Sequence, residues 1–369
     1  MSSDSTVIPR DTNSGWAAER ARRGGRQRHS KWWLLAVIVS VTLSLPLSGY
    51  LAPAAASQGA DLAGFYPESQ ISYSWSSLRE GPLTIFALLA IAGSILVFLA
   101  FHLFAGKVRI DGGRSGTTVP RWSRFERLLH WLLAGSFIVL AITGLSLFFG
   151  RYALMPLLGE RGFSTYASGA IWIHETIGLV FVALLVAAIL QWIKGNLFRS
   201  YDWQWFKQGG GYIGDRNTHP PAGKANGGEK LYFWLGIVSM GSVTAITGLV
   251  LYFTTWTGSE GLVAWSLIFH VLGAAGFIAL AIGHVYLGAI GNEGTLEGMV
   301  SGRVDCNWAK QHHNIWYEEI LQDGVQPEPA STSAADASVP SAKSSKSTAT
   351  DAASLTIRTD DAPARRPLS

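Results

Sequence analysis

The chain has 369 residues, of which 48% are hydrophobic and 15% charged, with 15 tryptophans and a net charge of +4. The apolar residues form long runs, which indicates a membrane protein, and no basic, aromatic-studded face indicates nucleic-acid binding. The single cysteine, Cys306, excludes intramolecular disulfides, cysteine-ligated iron–sulfur clusters and covalent c-type haem, which needs C-x-x-C-H.

Residues 1–56 have the composition of a secretory signal peptide. The basic stretch "ERARRGGRQRHSK" precedes an apolar run, the helix-breaking Pro46 and the small residues 54–56. We therefore predict cleavage after Ala56. The alternative is an uncleaved first transmembrane helix, and both interpretations place residue 60 outside the cytoplasm.

Five further apolar segments are long enough to cross a bilayer, which needs roughly 20 residues. We predict spans at 83–105, 128–149, 171–193, 231–253 and 265–290. The segments before the second span and between the third and fourth are rich in Lys and Arg, whereas the segment between the fourth and fifth has neither. The positive-inside rule then places the basic segments and the C-terminus in the cytoplasm of a multi-pass protein of the bacterial inner membrane.

The predicted fold is an all-α membrane protein, a transmembrane helical bundle with a four-helix core and one extra N-terminal span. Residues 57–118 would hold a periplasmic segment, the extra span 83–105 and a cytoplasmic linker. Residues 119–322 would form the four-helix domain. Residues 323–369 are rich in Ser, Ala, Thr, Pro and Asp, which predicts a disordered cytoplasmic tail.

Four of the nine histidines lie inside predicted spans: His130, His174, His270 and His284. An ionisable side chain at that depth indicates a functional site, although each could simply hydrogen-bond to a neighbouring helix.

The other histidines are weaker candidates. His102 lies at the cytoplasmic end of the first span, where an imidazole can reach the interface. His29 and His219 are predicted to lie on the surface, and His312 with His313 as a solvated or packed pair.

The span directions sort the four buried histidines into two levels. His174 and His270 each begin an inward-running helix, so both lie near the outer face. His130 begins an outward-running helix and His284 ends an inward-running one, so both lie near the inner face. Fourteen residues of helix rise about 21 Å and end on nearly the same side, so His270 and His284 predict two stacked sites.

Each pair suits the two axial positions of a haem. Zinc would need four ligands, and each pair supplies two with no other ligand at its depth apart from Glu175. Without C-x-x-C-H, the haems would be b-type. Gly178, Gly273 and Gly288 lie on the ligand faces of their helices and would leave room for the rings. We interpret a repeat, "LAITGLSLFF" at 140–149 and "TAITGLVLYF" at 244–253, as helix packing at its glycines, residues 144 and 248.

The segments around these histidines resemble the gamma subunit of respiratory formate dehydrogenases, the di-haem cytochrome b556. The resemblance covers about residues 121–320, and its segments are "RWSRFERLLHW", "IWIHETIG", "NGGEKLYFW", "IFHVLGAAG", "IGHVYLG" and "EGMVSGRVDCNWAKQHHNIWYEEI". Cytochromes b of nickel–iron hydrogenases share the histidine pattern but are less similar in the last segment.

The resemblance implies a function in electron transport with two haem b. His174 and His270 would ligate the outer haem, and His130 and His284 the inner one. The implied partners are a molybdenum or tungsten alpha subunit and an iron–sulfur beta subunit at the periplasmic face, with quinone as acceptor at the cytoplasmic side. Asn226, Gly227 and His284 would contact the quinone. The alternatives are the cytochrome b of a hydrogenase or other molybdoenzyme, and a non-redox membrane anchor or transporter.

Overall fold

The computed structural model describes residues 75, 77–212, 218–254 and 259–330. The predicted signal peptide, residues 1–56, lies outside the described residues, as does the chain from residue 331 onwards.

Five helices are long and apolar enough to cross a membrane, which confirms the all-α transmembrane fold. They run longer than the predicted spans because their polar ends continue past the apolar segments. In chain order the spanning helices are α1 (Arg79–Ala105), α2 (Arg124–Ala153), α3 (Met155–Trp192), α5 (Gly227–Tyr252) and α6 (Glu260–Gly291). The short helices are α4 (Ser200–Lys207), α7 (Thr295–Val300), α8 (Cys306–His312) and α9 (Asn314–Gln322).

Two spanning helices begin with reciprocal capping boxes. Ser123 Oγ accepts a hydrogen bond from the Glu126 backbone N–H at 3.2 Å, and the Glu126 carboxylate accepts from the Ser123 N–H at 2.9 Å. Asn226 and Glu229 make the same exchange at the start of α5, with both bonds at 2.9 Å. These boxes satisfy N–H groups that have no partner within the helix, so they fix where α2 and α5 begin.

The segment between the second and third predicted spans is helical rather than an open loop. Helix α3 starts at Met155, directly after α2, and breaks at Gly159, which has φ 69° and ψ 171°. Glycine adopts this positive φ without the steric cost of a side chain. The break lets α3 turn back antiparallel to α2.

The extra span α1 packs on α6, the helix that carries two of the candidate histidines. Ser94 Oγ donates to the Ala279 carbonyl at 2.7 Å. The ring of Phe98 lies against Gly283, where a Cβ would come within 2.7 Å of the ring. The span therefore belongs to the bundle.

A small module with its own core follows α6. Strand β1 (Thr117–Pro120) lies between β2 (Arg303–Asp305) and β3 (Glu328–Pro329), antiparallel to both, with Val119 opposite Val304 and Thr118 opposite Glu328. Its buried residues are Ile110, Val119, Val304, Cys306, Trp308, Ala309, Trp316 and Tyr317.

The sequence predicts a disordered tail from residue 323, but residues 328–330 pack on the module. Strand β3 pairs with β1, and the Ala330 N–H donates to the Gly116 carbonyl at 2.9 Å. Since the five spans alternate in direction, residues 106–123, 193–212, 218–226 and 292–330 all emerge on the same side of the bundle.

Candidate functional site

The structure brings the four membrane histidines together as two pairs. The imidazole centroids of His174 and His270 are 6.2 Å apart, with ring planes at 70°. Those of His130 and His284 are also 6.2 Å apart, with planes at 50°. The pairs lie at two levels because His270 and His284 are separated by fourteen residues of α6.

The separation suits one metal between two imidazoles. Metal–nitrogen bonds to imidazole are about 2 Å long, so two rings that bind one metal from opposite sides have centres roughly 6 Å apart. Within the described part of the chain, no group of three or more His, Cys, Asp or Glu side chains could hold a metal ion. Each pair therefore offers two ligands, too few to enclose a metal ion alone. Two histidines are the protein ligands that a bis-histidine haem requires.

His174 and His270, called the outer pair after their predicted side of the membrane, are each hydrogen-bonded by a threonine of a neighbouring helix; His130 and His284 are called the inner pair. Thr143 Oγ1 of α2 lies 2.8 Å from His174 Nδ1, and Thr247 Oγ1 of α5 lies 3.1 Å from His270 Nδ1. Both hydroxyls donate to carbonyls of their own helices, those of Val139 at 2.8 Å and residue 243 at 2.6 Å. Each hydroxyl is therefore placed to accept from Nδ1–H, which leaves the Nε2 lone pair for a metal. The Thr244 backbone also hydrogen-bonds to the His270 ring.

The glycine after each threonine makes room for the imidazole. A Cβ on Gly144 would lie 3.2 Å from His174 Cε1, and a Cβ on Gly248 would lie 3.2 Å from His270 Cε1. The predicted close approach between helices at these two glycines is therefore confirmed, and the group that approaches each one is an imidazole. The repeated Thr-Gly dipeptide positions an imidazole, and the sequence repeat was the signal that could have revealed it.

The other glycines divide into two groups. A Cβ on Gly178 or Gly288 would have no atom within 4 Å, so open space lies beside a histidine of each pair. Gly273 does not share this property, because a Cβ there would lie 2.8 Å from Thr244 Oγ1. Its predicted place beside a haem is wrong, since it lets α6 pack closely on α5.

The inner pair has different neighbours. Tyr232 stacks on His284 with centroids 4.4 Å apart and planes at 8°, a contact that the sequence did not predict. The His130 ring meets Trp131 edge-on at 5.0 Å. His130 Nδ1 is buried and has no hydrogen-bond partner among the residues that the structure describes. The residues of both pairs thus fit haem, but only the outer pair is held by hydroxyl groups.

The residues predicted to contact quinone begin α5. Asn226 Oδ1 caps the helix, and Gly227 lies against Trp205, whose ring would be 2.8 Å from a Cβ at that position. Asn226 also lines a cavity of about 30 Å³, with His219 and His312 among its other walls. That volume has room for a water molecule. Quinone contact by Asn226, Gly227 and His284 stays a prediction.

Three of the remaining described histidines have hydrogen-bond partners, whereas His312 Nε2 is buried without one in the described part of the chain. His102 Nδ1 lies 3.2 Å from the Tyr286 hydroxyl, and His219 Nε2 lies 2.9 Å from Asp111 Oδ2. His313 is 1% exposed and its Nδ1 donates to the Gly223 carbonyl at 2.8 Å. Burial lowers the pKa of His312 to about 3. The adjacent pair is therefore packed, as one of the two predicted alternatives had it.

A buried arginine ties the module to the start of α5, which sequence reasoning missed. Arg121 lies 4.7 Å from the Trp308 ring and 3.1 Å from Glu229 Oε1. Its burial lowers the pKa of the guanidinium, while Glu229 opposes the shift. The cluster holds the capping carboxylate of α5 in place.

Residues 121–302, which include all four paired histidines, match the family model described as prokaryotic cytochrome b561. The cytochrome b556 subunit of a formate dehydrogenase from Haemophilus influenzae is 30% identical over 215 residues, which are 56% of this chain and 85% of the relative. The chain belongs to the prokaryotic cytochrome b561 family. This membership confirms the resemblance seen in the sequence, implies haem b, and makes the chain a bacterial membrane protein.

Two further relatives of this cytochrome b561 family member are from Escherichia coli strain K12. The nitrate-inducible formate dehydrogenase cytochrome b556(Fdn) subunit is 28% identical over 206 residues, 55% of this chain and 91% of the relative. The formate dehydrogenase cytochrome b556(fdo) subunit is 28% identical over 207 residues, 55% of this chain and 93% of the relative.

Proposed function

We propose that this chain is the electron-carrying membrane subunit of a formate dehydrogenase, with two haem b groups. The proposal rests on one observation. Two pairs of imidazoles, each with ring centroids 6.2 Å apart, lie at two levels of one bundle. His174 and His270 would hold the outer haem, and His130 and His284 the inner one.

The arrangement restricts the chemistry. When bound, haem would supply one-electron transfer. Because both axial positions would be taken by histidines of the chain, neither iron would have an open position for oxygen or a substrate. Helix α6 separates the two sites by about 21 Å along its axis, so the chain would hold two haems at different depths of the hydrocarbon layer.

The relatives' names and the orientation of the bundle support the partners. All three similar proteins described above are named as cytochrome b556 subunits of formate dehydrogenases. We propose that an iron–sulfur beta subunit meets the outer face beside His174 and His270, and that an alpha subunit with Mo or W oxidises formate. We further propose that the C-terminus lies in the cytoplasm, as the basic segments on the opposite side favour, and that quinone accepts electrons there near His284, Asn226 and Gly227.

Formate-driven reduction of the purified complex tests this function. Anaerobic addition of formate should reduce a b-type signal in the wild type. His174→Ala should lose the outer haem and block reduction of the inner one. His102→Ala removes a histidine of a spanning helix that belongs to neither pair, and it should behave as the wild type. Reduction by hydrogen and not by formate would overturn the formate assignment.

A further inference from the structure

The Thr-Gly repeat contacts both histidines of the outer pair in the same way. Thr143 lies on α2, and its hydroxyl contacts Nδ1 of His174 on α3. Thr247 lies on α5, and its hydroxyl contacts Nδ1 of His270 on α6. The glycine that follows each threonine lets the imidazole lie against the helix backbone. The same Thr-Gly dipeptide on α2 and on α5 therefore makes the same two contacts with an imidazole.

The hydroxyls are oriented by the backbone. An α-helical threonine whose Oγ1 donates to a carbonyl four residues earlier presents a lone pair outward, and both threonines make that bond. An imidazole that donates Nδ1–H to an acceptor is held in one tautomer and becomes a more basic ligand at Nε2. A more basic axial ligand stabilises the oxidised state of an iron and lowers its reduction potential.

The inner pair lacks this support. His130 Nδ1 is buried without a hydrogen-bond partner in the described ranges. The ring of His284 is covered by the face of Tyr232, an apolar contact rather than an acceptor for Nδ1–H. The chain therefore distinguishes its two sites by the hydrogen bonding of their ligands.

We infer that Thr143 and Thr247 are positioning residues that fix the outer imidazoles and hold the outer haem at a lower reduction potential than the inner one. Electrons move spontaneously from lower to higher potential, so the asymmetry favours transfer from the outer site to the inner. In each transfer, one electron would leave the haem held by His174 and His270 and reach the haem held by His130 and His284, with no bond made or broken in the chain. The inference rests on the proposed function, which supplies the two haems.

Redox titration of the full complex tests the inference. The α-band should resolve two components, and the one absent from His174→Ala is the outer haem. Thr143→Val and Thr247→Val should each raise the midpoint of that component and leave the other unchanged. The double variant should shift it further, since the two hydroxyls act on different ligands. Thr143→Ser and Thr247→Ser, which keep a hydroxyl, should titrate as the wild type.

Thr176→Val is the matched control. Thr176 lies two residues after His174, and its hydroxyl donates to the Trp172 carbonyl at 2.8 Å, so the substitution removes the same helical bond at a distance from the imidazoles. It should leave both midpoints unchanged.

A second measurement reads ring orientation directly. The EPR signal of an oxidised bis-histidine haem depends on the angle between the imidazole planes, which is 70° in the outer pair. Only the outer signal should change in the valine variants. Should Thr143→Val lose the outer haem, the Thr247→Val and serine variants provide the same comparison.

The inference would be overturned if two haems are present and neither valine substitution changes their midpoint potentials or EPR signals. That result would leave the proposed function intact. A shift of the inner component alone, or an equal shift of both, would also overturn it. Absence of any b-type signal would instead overturn the proposed function.

Discussion

Replacing Lys230 by methionine removes one partner of an ion pair that lies out of water. Lys230 Nζ is 2.7 Å from Asp202 Oδ2, and both side chains are 2% exposed. The same carboxylate oxygen accepts from the Arg199 backbone N–H at 2.6 Å. The pair joins α4 to the first turn of α5, two residues before the tyrosine that stacks on the inner histidine.

The expected loss is large because the carboxylate would stay buried without its cation. Breaking a buried ion pair on one side costs about 3–5 kcal/mol. Domains are stable by about 5–15 kcal/mol, so Lys230→Met should remove a substantial share of the free energy of unfolding. Asp202→Asn in the same chain removes the charge but keeps an oxygen for the Arg199 N–H, and it should recover at least about 2 kcal/mol of the loss.

Denaturation of the purified protein in detergent micelles measures both values. Lys207→Met is the matched control, because Lys207 lies exposed on α4 and its replacement should change stability by less than about 0.5 kcal/mol. The reasoning is refuted if Lys230→Met is as stable as the control, or if adding Asp202→Asn recovers nothing.

Three further outcomes follow from the structure. Gly178→Leu should fold normally, because a Cβ there meets no atom within 4 Å, yet lose the outer haem by filling its space; Gly93→Leu, equally open on α1, should keep both haems, and pigment retained at Gly178→Leu would contradict the account. Burial, and to a lesser extent the charge of Arg121, lowers the pKa of His313 well below its usual value. At acidic pH the unfolded chain therefore binds a proton at this residue that the folded chain does not bind. The His313 contribution should therefore be present above about pH 6.5 and fall by about 2 kcal/mol by pH 5. Burial also lowers the pKa of His312, to about 3, so His312 should add a similar loss, and His313→Asn should remove about half of the pH dependence in denaturation series. Tyr232→Leu should alter the EPR signal and midpoint of the inner haem alone, whereas Tyr232→Phe, which keeps the stack on His284, should not.

The spans and the two histidine pairs could be predicted because both depend on local regularities. Twenty apolar residues identify a span, and the helical rise converts the fourteen-residue spacing of His270 and His284 into two levels. Directions of successive spans then decide which histidines share a level. None of these steps needs side-chain geometry.

The contacts that refine the site could not be predicted so easily. Thr143 and Thr247 act on histidines of other helices, so the repeat was visible but its partner was not. Tyr232 reaches His284 only through the rotation of α5 relative to α6. Gly273 follows its histidine by three residues and the open glycines follow theirs by four, both of which are same-face spacings on a helix, so only helix packing distinguishes Gly273.

The extramembrane module was missed for a related reason. Its three short strands come from residues about 185 and 210 positions apart, and strands of two to four residues have no periodicity to detect. Buried pairs such as Val119 with Val304 exist only after the chain has folded. Polar composition therefore predicted disorder from residue 323, although β3 pairs with β1.

The haem content of the purified chain is the decisive measurement. We expect two b haems per polypeptide in the wild type, one after His174→Ala or His270→Ala, one after His130→Ala or His284→Ala, and none when all four are replaced. A colourless wild type, or full pigment in the quadruple variant, would contradict it.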